Sequence, residues 1–159
     1  MARGRRWLTP AEQRAWRAFL RAHTLLIGRL NRQLQAESGL SLSDYEVLVN
    51  LSEAPERRLR VFELGAAMQW EKSRVSHHLT RMQQRGLVVR EECANDARGA
   101  VVVLTEEGRR AIESAAPRHV DEVRQWFVEP LSSDQLDDLA GAAEAIVARL
   151  EGGGRAGNS

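Results

Sequence analysis

Phe62-Glu63-Leu64-Gly65-Ala66-Ala67-Met68-Gln69-Trp70-Glu71-Lys72-Ser73-Arg74-Val75-Ser76-His77-His78-Leu79-Thr80-Arg81-Met82-Gln83-Gln84-Arg85-Gly86 decides the fold. It reads as a short helix from Phe62 to about Gln69 and a second from about Glu71 to Arg85, with Gly86 as the natural stop. At about 100° per residue, Val75, Leu79 and Met82 share one face of the second helix. That face is expected to pack on Leu64, Ala67 and Met68. The opposite face presents Ser73, His77, Thr80 and Gln84, flanked by Arg74, Ser76 and Arg81. Each of these is a hydrogen-bonding residue and none is acidic. Such a surface also suits an ordinary solvated helix, and the residues after Gly86 weigh against that plainer reading.

Two β-prone runs come next, Leu87-Val88-Val89-Arg90 and Ala100-Val101-Val102-Val103-Leu104. The polar segment Asn95-Asp96-Ala97-Arg98-Gly99 between them reads as a hairpin tip. Two short helices and then a hairpin make the winged helix-turn-helix pattern. A polar, acid-free helix face can enter a major groove. Arg grips guanine through two hydrogen bonds, Ser and Thr reach bases or phosphates, and His donates to a purine acceptor. The helix start at Lys72 and Ser73 offers free N–H groups to a phosphate. Arg98 at the tip can enter a narrow A·T minor groove, with Asp96 pinning it; a simple turn salt bridge is the other reading of that pair.

Upstream, Thr9-Pro10-Ala11-Glu12 opens a helix with a capping box and Pro at the first position. Trp16, Phe19, Leu20, Ile27, Leu30 and Leu34 then recur at helical spacing to near Gly39. A helix this long usually packs along a partner. Ser43 with Glu46 forms an expected second box, stapled by Leu42 and Val47, and Pro55 stops that helix. Leu59-Arg60-Val61 reads as a short extended piece. Downstream, Thr105 caps a helix to about Val128, with a kink expected near Pro117. Ser132 and Gln135 form a third box for a last helix through Leu139, Ile146 and Leu150, and 152–159 reads as a flexible tail.

Composition bounds the classes. Apolar residues at 43% make the chain globular, and aromatics at 5% with many helix formers favour helices over a β-sandwich. No apolar run approaches the ~20 residues of a membrane span, and no secretory signal is present, so a cytoplasmic location is expected. Cys93 is the only cysteine, which excludes an internal disulfide. Charge is unevenly distributed. Residues 1–37 carry eight Arg against Glu12 and Glu37; 57–98 carry nine bases against five acids; 99–151 carry five Arg against eleven acids. An anionic partner docking on the middle segment fits this, as do solvated helix faces.

At Leu64–Ser76, Leu79, Met82, Gly86-Leu87-Val88, Asp96-Ala97-Arg98-Gly99 and Leu104-Thr105-Glu106-Glu107-Gly108, the chain resembles the MarR family. The resemblance runs from the long first helix to the last. It implies a mostly α fold with a small β-hairpin wing, in one domain over 1–159. Dimerisation helices at 10–37 and 105–151 would flank a winged helix-turn-helix lobe at 43–104. It implies an obligate homodimer on a near-palindromic site in double-stranded DNA, most often as a repressor. Lys72, Ser73, Arg74, Ser76, His77, Thr80 and Arg81 would bind DNA, with the Ser73–Arg81 helix in the major groove and Arg98 in the minor groove. Two positions depart from the family pattern: Gln69 replaces a turn glycine, and Cys93-Ala94 replaces Asp-Pro at the start of the wing.

Family members are often released by a small anionic or phenolic effector. Trp16 and His23, at i and i+7, together with Tyr45 could line such a pocket; a core role for them is the other reading. Cys93 lies beside Glu91 and Glu92, which disfavour a thiolate, and the first helix has no cysteine of the kind used by redox-sensing members. Adjacent His77 and His78 point apart, so no metal site is expected, and His23 and His119 lack supporting ligands. No cofactor is implied. Without a phosphate loop, nucleophile motif or paired carboxylates, an enzyme is not expected. The alternative class is an architectural DNA binder without effector response.

Overall fold

The computed structural model describes residues 6–91 and 99–154. The helices are α1 (Pro10–Ser38), α2 (Leu42–Glu53), α3 (Val61–Met68), α4 (Lys72–Gln84), α5 (Glu106–Val123) and α6 (Ser133–Gly154). The strands are β1 (Arg58–Arg60), β2 (Val88–Glu91) and β3 (Val101–Leu104). The chain forms two compact units, one through His119 and one from Val120 onward.

In the first unit, α1 begins with the Thr9 box. Thr9 Oγ1 accepts the Glu12 N–H at 3.3 Å, and the Glu12 carboxylate accepts the Thr9 N–H at 2.7 Å. Gly39, at φ 66°, ends the helix in the left-handed region that glycine adopts without strain. The next cap differs from the Ser43–Glu46 box expected from sequence. Ser41 is the N-cap, its hydroxyl accepting from Asp44 N at 2.9 Å while Asp44 Oδ2 accepts from Ser41 N at 2.9 Å. The start shifts by two residues because Asp44 is buried and its carboxylate needs donors. Using it at the third helical position supplies one.

Strands β1, β3 and β2 form an antiparallel sheet in that order. Arg58 pairs with Val103, and Val88 with Leu104. The expected hairpin therefore carries a third strand, made from the Leu59-Arg60 segment. One core joins Leu34 and Leu40 to Val47, Leu48 and Leu51 of α2 and Leu64 of α3. Val75, Leu79 and Met82 of α4, Val88, Val102 and Leu104 of the sheet, and Ile112 of α5 complete it. Each such side chain contributes about 1.5–3 kcal/mol on full burial. Ala67, expected in this contact, is exposed.

The start of α5 is pressed against the chain leading into β2. Thr105 Oγ1 lies 2.6 Å from the Gly86 carbonyl and 2.9 Å from that of Leu87, and it accepts the Gly108 N–H at 2.9 Å. A Cβ on Gly108 would fall 2.1 Å from the Leu87 oxygen, so only glycine fits.

In the second unit, the helical path leaves α geometry at Arg124–Val128, where Glu129 N–H reaches back to the Arg124 carbonyl at 2.8 Å. Pro117 lies inside α5, and the departure from α geometry falls next to Pro130. Pro130 cannot donate to a further helical turn, and an i→i+5 bond closes the last one. The Ser132 box opens α6, with bonds of 3.0 and 3.3 Å. This helix continues through Gly154, past residue 152 where the tail is expected to begin.

Candidate nucleic-acid interface

α4 stands on the core through Val75, Leu79 and Met82, and a fourth buried residue, His78, shares that face. The sequence spacing carries this signal, because position 78 is i+3 from Val75 and four residues before Met82. Close approach of α3 to α4 depends on Gly65, where a Cβ would come 3.2 Å from Val75 Cγ2 and 3.4 Å from the Trp70 carbonyl. The turn between the helices passes through Gln69 at φ 52°. A residue with a Cβ is strained there by about 1–2 kcal/mol. The Gln69 amide offsets part of this by donating to the Ala66 carbonyl at 2.9 Å.

Anchored this way, α4 presents Lys72, Ser73, Arg74, His77, Thr80, Arg81, Gln83 and Gln84 to solvent, with Ser76 half-buried. No acidic residue lies among them. Thr80 Oγ1 donates to the Ser76 carbonyl at 2.9 Å, which leaves its lone pairs as acceptors. The Arg74 guanidinium lies 4.1 Å from the centre of the Trp70 ring, a cation–π arrangement that fixes a mobile side chain. Gln83 accepts the Arg90 N–H at 3.1 Å and braces β2 against α4. Arg58 pairs with Glu91 across the sheet. Arg98, Asp96 and Cys93 lie outside the described residues.

The sequence reading missed the polar cluster beneath this face. Asp44 Oδ1 lies 2.9 Å from His78 Nε2, and Asp44 Oδ2 accepts from Arg85 Nη1 at 2.7 Å. Arg85 also donates to the Gly39 carbonyl at 2.7 Å. Burial alone would raise the Asp44 pKa. The His78 ring nitrogen beside it, the Ser41 N–H and the Arg85 guanidinium overcome this and hold the carboxyl well below the usual carboxylate range. The cluster ties the start of α2 and the end of α1 to α4.

Of the three residues expected to line a pocket, Tyr45 borders a cleft of about 280 Å³ with Ile27, Leu30, Leu42, Glu46, Val49, Asn50 and His119. The Tyr45 and His119 ring centres are 4.4 Å apart. Burial raises the Tyr45 pKa and lowers that of His119, which favours the uncharged form of each. His119 Nδ1 is buried without a partner among the described residues. Trp16 and His23 do not line this cleft. They lie on exposed α1 surface in a row with Phe19, at ring spacings of 6.1 and 6.2 Å. Among the described residues no cluster of His, Cys, Asp and Glu could hold a metal ion, and no helix is long and apolar enough to cross a membrane.

Residues 38–99 match the family described as MarR family. AbsC, a MarR family transcriptional regulator from Streptomyces coelicolor, is 44% identical, with 93% of this chain and 99% of AbsC covered at a TM-score of 0.87. This chain belongs to the MarR family. Its α3–α4 pair and sheet are the winged helix-turn-helix of that fold. Sco3205, a MarR family transcriptional regulator from the same organism solved in complex with DNA, is 40% identical, covering 93% of this chain and 92% of its own, with a TM-score of 0.88. The transcriptional repressor MprA of Escherichia coli (strain K12) is 22% identical over 135 residues, 85% of this chain and 76% of MprA. As a MarR family protein, the chain is a transcriptional regulator, with Gln69 in the left-handed turn position where the family often has glycine.

Proposed function

We propose that this MarR family regulator represses transcription as a homodimer on a short inverted repeat in duplex DNA. α4 reads the major groove through Arg74, Ser76, His77, Thr80 and Arg81, while Lys72 and Ser73 hold a phosphate at the helix start. Arg98 enters the neighbouring minor groove. The observation that carries this reading is the acid-free, exposed face of α4 on a rigidly seated helix. The DNA complex of Sco3205 supports the partner, and the name of MprA supports repression. The protein acts in the cytoplasm, where its operator is, and has no catalytic role.

Dimerisation is supported by apolar surface within each unit. Trp16, Phe19, Leu20 and Leu25 are exposed on α1, and Ile146, Val147 and Leu150 on α6. A lone chain rarely leaves such patches in water. The occupant is a second copy of the same surfaces, over 10–37 and 105–151.

An effector releases the DNA. The Tyr45–His119 cleft takes a small phenolic or anionic molecule, with Tyr45 and neutral His119 supplying hydrogen bonds and Ile27, Leu30 and Val49 the apolar walls. Its size suits a single ring. Trp16 and His23 stand outside this cleft.

The test is selection of bound fragments from random duplex DNA with the purified protein. A regulator enriches a short inverted repeat by about 10³-fold or more over random sequence. Uniform recovery without a motif would instead identify an architectural binder, and no recovery at low salt would reject both.

A further inference from the structure

His78 is 7% exposed and sits under the α4 face. Its two ring nitrogens have different neighbours. Nδ1 lies 3.2 Å from Arg81 Nη2. Nε2 lies 2.9 Å from Asp44 Oδ1 without forming a hydrogen bond of good geometry to it. A guanidinium only donates, so Nδ1 must accept, and the ring proton must be on Nε2. That places the proton beside a carboxylate, the arrangement that selects this tautomer. The other groups around the ring agree. Trp70 meets it edge-on at 5.0 Å and is neutral, and Arg85 is engaged with the far oxygen of Asp44.

We infer that His78 is a positioning residue for DNA reading: Asp44 fixes its neutral Nε2–H tautomer, and Nδ1 thereby holds the Arg81 guanidinium at the exposed face of α4. A free arginine on a helix surface loses rotamer entropy when it docks, and a fixed acceptor removes part of that loss before the duplex arrives. The inference rests on α4 being the reading helix.

Two measurements test it. The first uses the wild-type protein alone: two-bond ¹H–¹⁵N spectra of the imidazoles, with the His78 signals assigned by their loss in His78→Asn. The expected pattern is a protonated Nε2 and an acceptor-type Nδ1, and the opposite pattern overturns the inference. The second is a mutant cycle in Kd for a mixed-sequence 30-base-pair duplex and for the duplex enriched from random DNA. Arg81→Ala weakens wild-type binding roughly tenfold, and in a His78→Leu background by less than about threefold. His78→Asn, whose Oδ1 stands where Nδ1 does, restores most of the Arg81 effect. Equal Arg81 effects in all three backgrounds reject the positioning role while leaving the DNA reading intact. Wild-type protein that binds neither duplex rejects the DNA reading and this inference with it. Should His78→Leu not fold, His78→Phe, which likewise lacks an acceptor for Arg81, takes its place in the cycle.

Discussion

Replacing Asp44 should cost more stability than any other polar substitution in the first unit, and its three partners set the size. The Arg85 side chain is 42% exposed and can return to water, so its loss contributes only about 0.5–1 kcal/mol. The Ser41 N–H loses half of a capping box, about 1 kcal/mol. The His78 side chain is 9% exposed, and its ring loses the carboxylate 2.9 Å away, a contact short of a full hydrogen bond and worth about 1 kcal/mol. Asp44→Ala should therefore destabilise by about 3 kcal/mol, at the low end for breaking a buried pair. Asp44→Asn keeps one acceptor and should cost about half as much. For a chain of this length 3 kcal/mol corresponds to a Tm drop of roughly 6–12 °C. Urea unfolding at fixed protein concentration measures it. The pH dependence gives a second reading. Asp44 is depressed in the folded state, so its contribution is fully present above the unfolded carboxyl pKa of about 4. It is lost as pH falls through the folded value. The gap between wild type and Asp44→Asn should hold from pH 5 to 8 and narrow below pH 4. An Asp44→Ala protein within about 0.5 kcal/mol of wild type at pH 7, or a gap that widens with acid, would refute the account.

Gly108→Ala should cost more than about 3 kcal/mol or abolish folding, because the new methyl meets the Leu87 carbonyl oxygen; circular dichroism and urea midpoints check this. His77→Ala should broaden the selected DNA motif more than it lowers affinity for random duplex, and an unchanged motif removes His77 from the readout. Arg98→Ala should weaken binding most on sites with A·T-rich flanks, whereas equal loss on G·C-flanked sites contradicts a minor-groove role.

Much of the fold was legible in the chain because the signals are local. The Thr9 and Ser132 boxes each need only four residues, and both are present as read. The period of α4 places Val75, Leu79 and Met82 inside without reference to anything else. The second cap failed for a physical reason. Ser41 with Asp44 and Ser43 with Glu46 are near-equal local patterns two residues apart. What separates them is Arg85, 41 positions away, and His78, which make Asp44 the residue to be held inside. The same limit applies to His78. Periodicity puts it on the buried face, but nothing local names its partner. Trp16 and His23 fall on the apolar stripe of α1, yet the stripe does not say whether core, cleft or a second copy covers it. In this chain they are exposed, and Tyr45 takes His119 instead.

Asp44 and Tyr45 are consecutive in the first turn of α2, and about 100° of helix sends them to different surroundings. Tyr45 borders the cleft with His119, and Asp44 reaches His78 on α4 and Arg85 at its C-terminal cap. An effector seated beside Tyr45 would act on the same helical turn that holds the Asp44 carboxylate. Only one peptide bond separates the two sites. The energies match in scale. Allosteric couplings amount to about 1–3 kcal/mol, and the Asp44 cluster is worth about the upper end of that range. A displacement that weakened part of the cluster would therefore suffice to loosen the polar side of α4, without any larger rearrangement of the core. Rigidity on the core side makes this possible, because Val75, Leu79 and Met82 hold α4 in place and leave the polar cluster as the adjustable contact.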